Sequence, residues 1–220
     1  VSQVLGQGDA LPEADFWAPL MSLPFHFGTE IATIPAPVPY IRSEPELVEQ
    51  WRAVLPPPLP GSPRVGIVWA GNPQHKNDHN RSLPLPLLDG LLQETGVRFV
   101  SLQRDMRPGD AEVLAARPDL IHVGQRLSTF ADTAAILENL DMVISVDTSV
   151  VHLAGAMAKP VRALLPLVPD WRWMLGRQDS PWYPTLRLYR QPRLGDWGAV
   201  ITEVRAHLRA IVARRRPVLI

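Results

Sequence analysis

Between residues 142 and 165 the chain runs through a strand, a polar turn, a helix and a second strand with almost nothing in between. Few folds accommodate that order. Met142-Val143-Ile144-Ser145 reads as a fully buried strand, Ala154 lies at the centre of an Ala-rich helical segment, and 161–165 is a further apolar run. Buried strands joined by a helix call for a parallel sheet, and in open parallel sheets ligands bind outside the strands' carboxyl ends, where helix N-termini meet them. The turn here is Val146-Asp147-Thr148-Ser149-Val150. The backbone N–H groups of Thr148, Ser149 and Val150 are expected to be unpaired first-turn donors. With the helix dipole they favour an anion, most often a phosphate. An ordinary N-cap by Asp147 or Thr148 is the plainer reading of the same turn, and one turn serves both.

The rest of the chain extends the pattern. Strands are expected at 64–69, 98–102, 120–123, 142–146, 161–165 and 186–189, and helices at 86–94, 109–116, 132–140, 150–158 and 197–212. Alternating short apolar strands and helices predict an α/β fold, a Rossmann-like, doubly wound parallel sheet. Ahead of it, 15–20 reads as a short strand, 22–27 as a short helix ending at Gly28, and 46–54 as a helix. Many of the 24 prolines crowd 35–39 and 56–63, and the second group reads as a stiff connector. A boundary is placed there, with residues 1–60 as one piece and 61–216 as the sheet domain. Because the chain starts at Val1 and enters structured-looking sequence at once, it is expected to be a fragment.

Composition narrows the function classes. Lys+Arg 22 against Asp+Glu 22 leaves no global field to draw nucleic acid or an anionic membrane. The run Arg214-Arg215-Arg216 reads as a solvated tail. There is no cysteine, hence no disulfide framework or thiolate metal site. No run approaches the ~18 apolar residues of a membrane span, and the expected location is cytoplasmic.

The chemistry is not that of the commonest nucleotide motifs. Trp69-Ala70-Gly71-Asn72-Pro73 has one glycine where a dinucleotide fingerprint needs three, which disfavours a Rossmann oxidoreductase, and no P-loop occurs. The loop after the first strand holds His75, Lys76, His79 and Arg81 and faces the same sheet edge as the Asp147-Thr148-Ser149 turn. Cations on one loop and a helix N-terminus on the other would clamp a diphosphate. The spacing of His75 and His79 suggests a metal only on a helix, and no metal is expected.

The segment from Asp141 to Ala156, followed by Lys159-Pro160, resembles the donor-site signature of glycosyltransferase family 9, the heptosyltransferases. Trp69 to Pro73, His75-Lys76-Asn77-Asp78, Arg81-Ser82-Leu83-Pro84 and Pro169-Asp170-Trp171-Arg172-Trp173 resemble a narrower group, the glycosyltransferase-like domains that follow tetratricopeptide repeats in bacterial proteins. The resemblance implies the C-terminal, donor-binding half of a GT-B fold, preceded by the tail of the acceptor half, with any repeats upstream. It implies inverting, metal-independent transfer from a UDP- or ADP-linked sugar to a glycan or protein acceptor, with no cofactor. The family's base lies in the absent half.

Carried over residue by residue, Thr148, Ser149 and Val150 match the diphosphate contacts. His152 matches the family histidine, and Arg81 stands where the family has a lysine that neutralises the departing diphosphate. Asp147 is read as holding the turn or a sugar hydroxyl. Gly71, Asn72 and Lys76 are possible donor-site residues. Gln103, ending the second strand, is a candidate for base or ribose. Asp110 and Glu112 fall near the family's sugar-contacting acid. Trp171, Trp173, Trp182 and Tyr183 either floor the pocket or pack their loop. The alternative is a non-catalytic nucleotide-binding or protein-interaction module of a repeat protein.

Overall fold

The computed structural model describes residues 3–215, so Arg216 of the basic run lies outside the described residues. Packing divides the chain into a unit ending at Pro35 and one beginning at Ala36. The first holds a 3-10 turn at Leu20–Ser22, helix α1 (Leu23–His26) and a 3-10 turn at Ile31–Thr33. None of its described residues is buried. The strand expected at 15–20 is not formed: no described segment of this unit pairs with it, and an unpaired strand leaves its backbone groups to water.

The second unit opens with α2 (Pro45–Val54), crosses the proline-rich segment and enters β1 (Arg64–Val68). Strands β2 (Arg98–Ser101), β3 (Ile121–His122), β4 (Met142–Val146), β5 (Val161–Leu165) and β6 (Leu186–Arg190) complete one six-stranded sheet in the order β3-β2-β1-β4-β5-β6. Every pair is parallel, with Ile67 beside Ile144 and Val146 beside Leu164. Helices α3 (Asp78–Arg81), α4 (Asp89–Leu92), α5 (Asp110–Ala115), α6 (Phe130–Glu138), α7 (Ser149–Ala156) and α8 (Trp197–Arg215) join or follow the strands.

Side chains alternate across each strand, so the sheet feeds two cores. On one face Val100, Val143 and Ala163 meet Trp51, Leu137 and Val151 of α2, α6 and α7. On the other, Ile67, Ile144 and Leu164 meet Leu88, Leu91, Val200, Val204 and Leu208. Each fully buried leucine of this kind contributes about 2 kcal/mol. Both faces being covered explains why β4 reads as an unbroken apolar run. Gly66 inside β1 makes room for the Leu140 side chain, whose Cδ1 would lie 2.7 Å from a Cβ there. Thr129 starts α6 through a capping box: its hydroxyl accepts from Asp132 N at 3.1 Å, and its own N–H donates to Asp132 Oδ2 at 2.9 Å.

The single helix expected at 86–94 is instead a 3-10 turn at Leu85–Leu88 followed by α4. Pro84 and Pro86 lack the N–H that a continuous helix would use. The long loop after β1 carries the short helix α3, which its polar sequence does not advertise.

Candidate functional site

Strands β1 and β4 are neighbours at the centre of the sheet, and their onward connections leave in opposite directions. This is the topological switch point, where a crevice opens past the strand ends. β4 ends at Val146, and Thr148 is the N-cap of α7 with extended backbone (φ −138, ψ 171) and no side-chain capping bond. Its hydroxyl turns instead to Ser145 Oγ at 3.2 Å. Val151 N donates to the Thr148 carbonyl at 3.1 Å, and the Thr148 side chain takes none of the first-turn N–H groups of α7. Thr148 and Ser149 line a cleft of about 760 Å³ together with Arg81, Asp147, His152 and Arg172. A second cavity of about 280 Å³ reaches Thr148, Ser149 and Val150 from the side of Gly71, Asn72 and Gln103.

Arg81 is fixed rather than waving in solvent. Its Nη1 donates to the Asp147 carbonyl at 3.0 Å, tying the loop after β1 to the turn after β4. Its Nε lies 3.6 Å from Asp78 Oδ1 and, although buried, has no hydrogen-bond partner among the described residues. Asp78 is buried and holds the loop together. Its Oδ1 accepts from the Ser82 hydroxyl at 2.8 Å, Ser82 Oγ accepts from Gly71 N at 2.9 Å, and Arg107 donates to both Asp78 Oδ2 and the Gly71 carbonyl.

His152 lies one turn into α7. Nδ1 shares a hydrogen bond with the Tyr183 hydroxyl at 3.1 Å, and Nε2 lies 3.9 Å from Asp147 Oδ1. The ring stacks on buried Trp173 with centroids 5.2 Å apart and an angle of 18°. Burial pushes the imidazole below its ordinary pKa; Asp147 pulls the other way and Arg172 adds to the lowering. The ring is accordingly neutral near pH 7 and has a hydrogen-bonding edge toward the cleft. Burial raises the Tyr183 phenol, which stays protonated.

No protein-family model matches the chain. It is 27% identical over 207 residues to Protein FlbA of Caulobacter vibrioides, covering 90% of this chain and 34% of that protein. Its backbone is similar to that of the E. coli ADP-heptose LPS heptosyltransferase II, with a TM-score of 0.56 and 17% identity over 83% of this chain and 56% of that one. The chain has a heptosyltransferase-like fold. It is an α/β, Rossmann-like fold matching that GT-B structure, and it spans about a third of FlbA and just over half of the heptosyltransferase.

Within this heptosyltransferase-like fold the sequence-derived residues fall into distinct places. Arg81, Asp147, Thr148, Ser149 and His152 converge on the larger cleft, and Val150 lines the smaller cavity beside it. Gly71 lies under Arg81. Asn72 is exposed and accepts from Gln74 N at 2.9 Å; Lys76 is exposed, while His75 reaches the cleft. Gln103 is buried, with its oxygen accepting from Trp69 N and Ala70 N and its nitrogen donating to the Ala70 and Asp105 carbonyls. Its amide orders the strand ends around the smaller cavity. Asp110 is likewise occupied, by Trp69 Nε1 and Arg107 N. Trp173 packs beneath His152, whereas Trp171 and Trp182 meet edge to face.

Sequence reasoning assigned no role to Asp78, Arg107, Asp170 or Arg172. A buried acid between two arginines has no local sequence signal, because Arg107 arrives from beyond β2. Asp170-x-Arg172 was visible as part of a motif, but its place on the cleft depends on the path after β5. Among the described residues no three His, Cys, Asp or Glu gather as a metal site, and no helix is long and apolar enough to cross a membrane.

Proposed function

We propose that this chain is the donor-binding part of a glycosyltransferase, holding a UDP- or ADP-linked sugar and stabilising the nucleotide diphosphate as it leaves. One observation carries the reading: a fixed guanidinium and an uncapped helix N-terminus meet on one cleft at the switch point of the sheet. Charge grows on the diphosphate as the glycosidic bond breaks, and preorganised donors aimed at that charge lower the barrier. Arg81 supplies a fixed cation, the Ser149 and Val150 amides supply dipoles, and neutral His152 supplies a further donor. With those groups in place the departing charge is met without a metal ion, and transfer proceeds by a single inverting displacement. The likeness to a protein named for ADP-heptose supports a sugar nucleotide over a bare nucleotide.

The acceptor hydroxyl, from a glycan or a protein, needs a base, and that base belongs to the acceptor half of a GT-B protein. Tetratricopeptide repeats precede that half, and the whole acts in the cytoplasm. Calorimetric titration with UDP, ADP, UDP-glucose and ADP-glucose tests the reading. Saturable binding that survives EDTA and falls about tenfold or more in Arg81→Ala and Thr148→Ala is expected. Absence of saturable binding to all four would overturn it.

A further inference from the structure

Resting on that reading, we infer that the Asp170–Arg172 pair is a sugar-hydroxyl subsite of the same cleft, separate from the groups that hold the diphosphate. Both residues line the same cleft as the start of α7, from the loop that follows β5. They are paired to each other: Arg172 Nη1 donates to Asp170 Oδ1 at 2.8 Å, and Arg172 N donates to the same oxygen at 3.0 Å. Both contacts use Oδ1, which leaves Oδ2 without a partner among the described residues.

The loop is rigid where it matters. Trp173, with no exposed surface, sits under His152; the Trp182 indole donates to the Arg172 carbonyl at 3.0 Å; and the Arg172 guanidinium lies 4.8 Å from the Trp171 ring centre. The pair is therefore held on the cleft by its tryptophan neighbours on the same loop.

Charge decides what such a pair recognises. The cleft presents two arginines, Arg81 and Arg172, and two carboxylates, Asp147 and Asp170. A diphosphate alone gains nothing from Asp170, which repels it. A ligand with an anionic end and a hydroxyl-bearing end satisfies both: phosphate at Arg81 and the helix, hydroxyls donating to Asp170 Oδ2. Arg172 orients the carboxylate and donates to a hydroxyl oxygen. Vicinal hydroxyls common to hexoses suffice for this contact, so glucose nucleotides are adequate probes.

The test compares each sugar nucleotide with its parent diphosphate on the same chain. In Asp170→Asn, whose amide oxygen still caps the turn, affinity for UDP-glucose or ADP-glucose falls about tenfold while UDP or ADP stays within about twofold. Arg172→Gln gives the same selective loss, and an unchanged thermal midpoint for both variants separates recognition from folding. Equal losses for diphosphate and sugar nucleotide, or no loss for either, overturn the subsite while leaving diphosphate binding intact. If the unaltered chain binds neither class, the proposed function and this inference both fall.

Discussion

The guanidinium of Arg81 lies directly over the Cα of Gly71, so close that a Cβ at position 71 would stand 2.6 Å from Nη2 and 2.8 Å from Cζ. Glycine is required there for space. The nearest atoms are the far end of a flexible side chain, so Gly71→Ala displaces the arginine and leaves the backbone in place. Affinity for UDP or ADP should fall about tenfold, with a thermal midpoint close to that of the parent chain. A large drop in midpoint with unchanged affinity would contradict this.

Asp78 is the only carboxylate that contacts both Arg81 and Arg107 among the described residues. Asp78→Asn leaves two half-buried guanidiniums without their counter-charge. A loss of about 3 kcal/mol in urea unfolding is expected. Adding Arg107→Gln should recover part of it, because the two residues are coupled. Additive losses in the double variant would show that they are not.

Stability should also decline on the acid side. Burial is the leading cause that holds His122, His152 and His207 below their ordinary pKa. The unfolded chain then binds protons first as pH drops through about 6.5, while the folded chain does not. Their contribution is complete above that pH and is lost as pH falls toward the lowered folded values. His122→Asn, away from the cleft, should flatten the slope of unfolding free energy against pH between 7 and 5. An unaltered slope would count against His122 as one of the groups responsible.

Gly155 on α7 faces Tyr183, whose ring atoms would lie 2.6 Å from an added Cβ. Alanine improves helix propensity by about 1 kcal/mol, but a rigid ring cannot yield as the Arg81 tip does. Gly155→Ala should therefore be net destabilising by about 1–2 kcal/mol in urea and should disturb the Tyr183–His152 hydrogen bond. A stabilised variant would mean that the ring moves freely.

Much of the sheet was legible along the chain. β4 and β5 lie where their apolar runs are, and the other strands are shifted by a residue or two at their ends. The turn and helix start after β4 were legible as well, because a helix N-terminus following a buried strand is a local pattern. Less visible was α3, whose residues Asp78-His79-Asn80-Arg81 carry no hydrophobic periodicity and are held by bonds to distant groups. Gln103 was a candidate for base or ribose, but the direction of its amide, inward onto residues 69, 70 and 105, is set by backbone groups past the end of β1 and in its own loop.

The sequence by itself determined that this chain forms a parallel α/β sheet with a polarised helix start past its central strand, since strand burial, helix periodicity and turn chemistry are properties of neighbouring residues. Which charges share the cleft was decided only by tertiary structure. Arg81, the Asp147–His152 segment and the Asp170–Arg172 pair come from three separate connections, and the strand order with its parallel register is what gathers those connections at one end of the sheet. Hydrophobic pattern specifies each element locally, whereas electrostatic partnership depends on distance in space.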